Sequence, residues 1–413
     1  AVPAMLSVSE LATALPKAGG AYYFLERALG PAVGTVAGFG TWLSLVLKDA
    51  FAMVGMSAYL VLILDVDATK LALALIALFT LVNVIGSKAS ASMQLALVVV
   101  VLATMGWFIV DGLFETASAG FDGSNLDPFF ASGASGLVAV VGLVFVSYGG
   151  LTKVASAAEE VDDPSHRIPL GMALSLAVAT TLYTLGVLVT VAVVPADVLH
   201  GDLAPIHTAA ETVLPKIGVW LVVVAALAAF ASAVNAGILA AARYPMAMAR
   251  DGLLPAWMGG LSRFGTPAVG VVLTGAAIAG VVVAFDAEAI AKLASAFVLL
   301  TLGLVNLAVL VLRASEIQSY APAFRSPLYP WTQLIGIAVS AFLISQLGIA
   351  ALVFIGVVAA VGWAWHHLYA TPRTDRAGAI LHVFRRWGRD ADDLLDREIS
   401  AAMAGHGLRS NDD

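Results

Sequence analysis

Ten stretches of this chain are apolar for long enough to cross a lipid bilayer, and that succession leaves little room for anything but an all-α integral membrane bundle. They cover residues 33–64, 70–87, 94–114, 134–158, 169–194, 217–242, 268–285, 289–312, 334–347 and 348–365. An eleventh stretch, residues 1–15, is too short to span and reads as the second half of a helix. Hydrocarbon satisfies no backbone N–H or C=O, so such runs cross as helices that close their own hydrogen bonds. Pro, Gly or charge punctuates the connections, as at Pro16-Lys17-Ala18-Gly19-Gly20, Asp65-Val66-Asp67, Asp251-Gly252 and Arg325-Ser326-Pro327. Gln346-Leu347-Gly348 leaves room only for a tight hairpin between the last two runs. Composition agrees: 12% of residues are charged and 60% hydrophobic, against about 25% charged in a soluble domain. With no cysteine, there is no disulfide framework, thiolate metal site or thiol nucleophile to consider.

Basic residues orient the bundle. If the loop at Lys17 is cytoplasmic, the loops on that side also hold Arg27, Lys88, Arg167, Arg243, Arg250, Arg263, Arg313 and Arg325. The tail adds Arg373, Arg376, Arg385, Arg386, Arg389, Arg397 and Arg409, while the opposite loops hold only Lys70, Lys216 and Lys292. Sixteen against three is a strong positive-inside asymmetry. It predicts a multi-pass protein of the cytoplasmic membrane with its C-terminal tail in the cytoplasm. Two basic residues remain, Lys48 and Lys153, and both fall inside spans.

One run is interrupted. Residues 137–146 give way to Ser147-Tyr148-Gly149-Gly150, resume through Lys153 and end in Ala158-Glu159-Glu160-Val161-Asp162-Asp163-Pro164. As a continuous helix, residues 134–158 would extend about 37 Å, which puts the glycine pair near mid-membrane. A break there exposes polar backbone, tolerated only where protein or a water-filled cavity surrounds it. Transporters build substrate sites in this way. The plainer alternative is a patch of small residues that lets neighbouring helices approach closely. The polar residues gathered at the break favour a binding site.

Three ordered motifs carry a family resemblance. The stretch from Leu6 to Tyr22, LSVSELATALPKAGGAY, resembles the end of the second helix and the first cytoplasmic loop of amino acid–polyamine–organocation (APC) superfamily permeases. Ala158-Glu159-Glu160-Val161-Asp162-Asp163-Pro164, followed by Arg167-Ile168-Pro169, resembles the loop after their broken sixth helix. Asn235-Ala236 with Ala249-Arg250-Asp251-Gly252-Leu253-Leu254-Pro255 resembles the end of their eighth. The likeness runs over residues 1–369. It implies a five-plus-five inverted repeat followed by two extra helices, with the first and sixth helices both unwound around the substrate. On that numbering the eleven helices here are the second, in part, to the twelfth. The first is absent from residues 1–413, and these residues alone are expected not to transport.

The resemblance also assigns a site. It places Val146, Ser147, Tyr148, Gly149, Gly150, Leu151 and Thr152 at the substrate. Carbonyls ending the first half-helix suit a substrate ammonium, and free N–H groups opening the second suit an anionic group. Members that take dications can carry an acidic residue where Thr152 stands, so a zwitterionic amino acid is expected instead. Members often place a bulky aromatic gate at the position of Val146; valine leaves that gate unassigned.

Coupling has three candidates. Lys48 lies midway along residues 33–64, too deep to reach water simply, beside Asp49. A desolvated lysine can exchange a proton, and some proton-coupled relatives keep a lysine on the fifth helix, where this chain has Val98 to Val101. Lys48 could take that role from the third helix, or it could serve a structural ion pair. Ser232 and Asn235, at i and i+3, share a face of the eighth helix, where sodium-coupled relatives use a hydroxyl. For Lys153 a structural reach to Glu159 or Asp163 is the expectation, and for Asn83 and Asn306 hydrogen bonds between helices.

Residues 1–370 thus form a transmembrane permease domain, and residues 371–413 a tail. In the tail Ile380, Val383, Phe384 and Trp387 share one helical face flanked by arginines, which predicts an amphipathic helix on the cytoplasmic membrane surface. Residues 390–403 turn acidic, as a second helix or a linker to a soluble regulatory domain or partner. The expected function is secondary active transport, by alternating access, of a neutral or zwitterionic amino acid with a proton or sodium ion. A permease for another amine or organic cation, and a transporter-like nutrient sensor, share these spans and motifs. No nucleotide-binding glycine loop, metal-ligand spacing or catalytic constellation appears, so no enzyme, cofactor or nucleic-acid partner is expected.

Overall fold

Each apolar run becomes a helix, as an unpaired backbone in hydrocarbon requires. The computed structural model describes residues 1–15, 20–86, 91–118, 133–151, 161, 163–373 and 378–386. The helices, in chain order, are α1 (Val2–Ala14), α2 (Gly20–Leu29), α3 (Pro31–Val61), α4 (Ala68–Ile85) and α5 (Ala91–Ser118). Then come α6 (Gly133–Leu143), α7 (Pro164–Val193), α8 (Ala196–Leu199), α9 (Pro205–Val213) and α10 (Lys216–Arg250). The last four are α11 (Ala268–Ala284), α12 (Ala287–Ala314), α13 (Trp331–Gln346) and α14 (Ile349–Trp365). Among the described residues seven helices are long and apolar enough to cross a membrane, and four shorter apolar ones accompany them. Each of those eleven lies along one of the eleven apolar runs, the run at 134–158 being described only to residue 151. Residues 16–19, Lys88, Thr152, Lys153, the Ala158-Glu159-Glu160 motif, Asp162, Trp387 and residues 390–403 lie outside the described residues.

Two boundaries move for physical reasons. Helix α10 continues past Ala242 to Arg250 because Tyr244, Pro245, Met248 and Ala249 are buried against protein, so the apolar count alone ends it early. Helix α7 starts at Pro164, where a proline at N1 forfeits only an N–H that has no helical partner. The hairpin between α13 and α14 turns on Gly348 at φ 95°, a left-handed conformation that costs glycine little.

Helices α12 and α3 form the centre, while α4, α5, α7 and α14 turn most of their surface outward. Helix α3 packs along α10 and α12, and also contacts α2, α4, α11 and α14. Polar side chains tie these apolar surfaces together. Asn83 Nδ2 on α4 donates to Asn235 Oδ1 on α10 at 2.9 Å, and Trp42 Nε1 on α3 donates to Thr274 Oγ1 on α11 at 3.1 Å. Ser7 Oγ on α1 donates to Asn306 Oδ1 on α12 at 2.8 Å. Both asparagines therefore bridge helices.

The arginine-rich end is held by one carboxylate. Glu10 on α1 is fully buried. Its Oε1 accepts from Arg313 Nε at 2.7 Å and Tyr320 Oη at 2.8 Å. Its Oε2 accepts from Arg313 Nη2 at 2.6 Å and from the N–H and hydroxyl of Ser326, both at 2.8 Å. One side chain thereby joins α1, the end of α12 and the segment leading to α13. Nearby, Tyr22 Oη on α2 donates to Asp251 Oδ2 at 2.8 Å. Burial, and then the Asp251 charge beside it, hold the Tyr22 phenol well above its usual range, so it remains a donor.

The start of the tail packs on protein. The Ala379 N–H donates to the Arg27 carbonyl at 2.9 Å, and Arg386 Nη1 pairs with Glu316 Oε1 at 2.6 Å. Residues 380–386 are helical, with Val383 buried and Phe384 facing outward. Gly378 lies so close to Gly30 that a Cβ on it would meet the Gly30 nitrogen at 2.2 Å, which only glycine permits.

Candidate functional site

Helix α6 stops at Leu143, and the chain tightens into a 3-10 turn over Val144–Tyr148 before the Gly149-Gly150 turn. The break expected at Ser147 to Gly150 is therefore present, and it begins one turn earlier. A 3-10 turn eclipses residues three apart. Val144 and Ser147 accordingly share one face and together line a cavity of about 520 Å³. Val146 points the other way and is buried among Leu47, Phe297, Leu343 and Leu347. Leu151 is likewise buried, against Ile168, Met172 and Val305. Tyr148 stacks edge-on to Tyr183 of α7 at 5.8 Å, and its hydroxyl lies 3.3 Å from Thr180 Oγ1. Of the seven substrate candidates, Ser147 thus lines the cavity, Val146 and Leu151 enter the core, and Thr152 lies outside the described residues.

Helix α12 holds the break in place. The Ser295 hydroxyl donates to the Leu143 carbonyl and accepts from the Val146 N–H at 2.9 Å. These are the two backbone groups that face each other across the first turn of the 3-10 segment. Ser295 is fully buried. One turn further along α12, Val298 packs against Gly149, 3.2 Å from where a Cβ on that glycine would sit. Nothing in the apolar pattern of α12 singles out Ser295; its only signal is a hydroxyl between Ala294 and Ala296 in a buried helix.

From α3, Lys48 reaches the same glycine. Its Cδ and Nζ lie 3.3 and 3.4 Å from the same Cβ position on Gly149, so the ammonium is brought to the break itself. The adjacent Asp49 is buried and turns instead toward α10, with its carboxylate over Gly237. Asn235 faces α4 through its bond to Asn83, and Ser232 is half-buried outside the cavity wall. Among the three coupling candidates, Lys48 alone touches the break.

The cavity is walled by Tyr59 on α3, Val101, Thr104 and Met105 on α5, Leu182 and Tyr183 on α7, and Val222 and Phe230 on α10. No charged side chain occurs among its described lining residues. A second cavity, of about 640 Å³, lies where α9 and the start of α10 meet the end of α3, and it is charged, with His207, Glu211 and Lys216 in its wall. Only the first adjoins the broken helix. The two approach each other at a buried cluster in which Tyr59 packs with Val223, and the Tyr59 ring meets Phe230 at 6.0 Å.

The family model described as amino acid permease matches residues 1–371. The chain is similar to "Cationic amino acid transporter 2, vacuolar" of Arabidopsis thaliana, with 29% identity over 340 residues, 78% of this chain and 52% of that protein. It is also similar to "Branched-chain amino acid permease BcaP" of Lactococcus lactis, 28% identical over 396 residues that cover 89% of this chain and 84% of the relative. A third relative, "Methylthioribose transporter" of Bacillus subtilis, is 27% identical over 384 residues, 88% of this chain and 81% of the relative. The chain spans about half the length of the Arabidopsis thaliana cationic amino acid transporters it matches, 52–54%. A match from the first residue through the last membrane helix, on an all-helical bundle with its sixth helix broken, places this chain in the amino acid permease family of the APC superfamily, a family of transporters and not of enzymes.

Proposed function

We propose that the protein is a secondary active transporter that moves neutral amino acids with apolar side chains across the cytoplasmic membrane by alternating access, coupled to protons. The observation that carries this reading is the broken helix opening onto an uncharged cavity. A volume of about 520 Å³ falls inside the range of about 300–1,000 Å³ usual for small-molecule sites. Ser147 in the cavity wall would supply a polar contact for the substrate's charged groups, and the apolar wall accepts an aliphatic side chain. A second cation on the substrate would find no described acidic residue there. The relatives' names include cationic amino acids, branched-chain amino acids and methylthioribose, and the apolar lining suits the branched-chain amino acids best.

Lys48 supports proton coupling. Its amine packs against Gly149, so a change of charge there would be felt at the break, and a fixed positive charge would oppose a sodium ion beside it. The test is counterflow of labelled L-leucine and L-arginine by the full-length protein in proteoliposomes. Leucine exchange without arginine exchange is expected; arginine exchange alone would reject the substrate assignment, and no exchange would reject transport. Replacing Lys48 by methionine is expected to flatten the pH dependence of leucine uptake, and an unchanged profile would reject the coupling role.

A further inference from the structure

The seam between α6 and α12 contains a hydroxyl with a role that packing does not require. Ser295 has one proton and uses it on the Leu143 carbonyl, while its oxygen receives the Val146 N–H at 2.9 Å. Side chains that insert into a helical hydrogen-bond ladder are a recognised cause of sharp kinks. An alanine at 295 would fill nearly the same space, so the hydroxyl acts by its bonds and not by its bulk.

We propose that Ser295 is a positioning residue for the substrate site: by bridging Leu143 and Val146 it keeps residues 144–148 in the 3-10 turn that points Ser147 into the cavity.

The geometry gives the consequence of losing it. In an α-helix residue 147 would lie about 300° around the axis from residue 144, against about 360° in a 3-10 turn. Without the bridge, the Leu143 carbonyl takes the Ser147 N–H and the Val146 N–H takes the Gly142 carbonyl, the partners four residues apart of an α-helix, and Ser147 swings about 60° off the cavity face that Val144 keeps. Val298, on the same face of α12 one turn away, still packs against Gly149, so the helices stay in contact while the register at the break changes. The cost therefore falls on the site rather than on the bundle. Ser295 does not line the cavity, and its effect on substrate passes entirely through the backbone of α6.

This inference rests on the break being the substrate site, and its test separates the two. Residues 1–413 contain no cysteine, so a single Ser147→Cys reports the break in the full-length protein after any cysteine outside these residues is changed to serine. Labelling by a membrane-impermeant methanethiosulfonate needs no substrate. Adding Ser295→Ala is expected to slow that labelling and, in the cysteine-free protein, to raise KM for leucine roughly tenfold, the effect of one buried hydrogen bond, with a smaller change in maximal rate. Ser295→Thr, which keeps the hydroxyl, is expected to restore both. An unchanged labelling rate after Ser295→Ala overturns the proposal, even if thermal stability or KM falls, because the residue would then act by packing alone. Slower labelling in a protein that exchanges no amino acid would uphold the role of Ser295 in the break and reject the break as a substrate site.

Discussion

Glu10→Gln removes one charge at nearly constant volume from the junction of α1, α12 and the segment before α13. The better amide orientation keeps an oxygen facing the three donors on the Oε2 side, Arg313 Nη2 and the N–H and hydroxyl of Ser326. It then turns its NH₂ toward Arg313 Nε, a donor that cannot accept, so that bond is lost, and toward Tyr320 Oη, which reverses its role and accepts. Bonds to charged groups contribute about 1.5–3 kcal/mol each, and breaking a buried pair costs about 3–5 kcal/mol, so a loss of about 4 kcal/mol is expected. Arg313 keeps the Ser326 carbonyl at 3.2 Å and the Tyr329 ring at 4.5 Å, which holds the figure below the sum of its parts. With an unfolding entropy of about 2.1 cal/mol/K per residue over roughly 400 residues, that loss lowers the midpoint of thermal unfolding by about 5 °C. The assay is thermal denaturation in detergent, with Arg313→Gln and the double variant beside it. The double variant should fall little below the worse single one, since the second change removes an interaction already broken. A midpoint for Glu10→Gln within about 1 °C of wild type, or strictly additive single effects, would refute the view that this carboxylate clamps the arginine-rich end.

Other substitutions probe separate contacts. Gly149→Ala places a methyl 3.2 Å from Val298 Cγ2 and 3.3 Å from Lys48 Cδ; the lysine can yield and the β-branched valine much less. It is expected to cost about 1 kcal/mol of stability and to reduce leucine uptake far more than that implies, and full uptake would mean the contact does not matter to transport. Asn83→Ala removes the bond to Asn235 between α4 and α10 and should cost about 0.6–1.7 kcal/mol in thermal unfolding, with no change in the pH profile of uptake. Gly378→Val drives a side chain onto the Gly30 backbone, so the tail helix should undock and trypsin should cut at Arg385 and Arg386 faster than in wild type; equal rates would show that the docking survives the clash.

The spans are legible in the sequence because lipid removes the alternatives: an apolar run that long has only the helix open to it. Helices α2 and α9 are not, being short and lying at the ends of the bundle, although α9 carries a local sign in Asp202, which accepts from the Ala204 N–H and the Thr208 hydroxyl. The break shows through its glycine pair. Which of its residues meets the cavity does not, since that depends on a 3-10 spacing begun at Val144 and bridged by a hydroxyl 149 positions beyond Val146. Lys48 stands out by its depth, yet its contact with Gly149 joins segments a hundred residues apart. The partners of Glu10 lie more than three hundred residues further along the chain. Local chemistry names the elements; the bonds that aim them are long-range and have no local pattern.

The docked start of the tail has a practical consequence. It touches the turn into α3 through Gly30 and the exit of α12 through Glu316, and these two helices are the pair that brackets Gly149 through Lys48 and Val298. A dye attached at Leu381, which is exposed, would therefore ride on two helices that contact the break. Paired with a second dye on a loop at the opposite end of the bundle, it would let single-molecule fluorescence follow α3 and α12 through a turnover cycle without a label in the bundle.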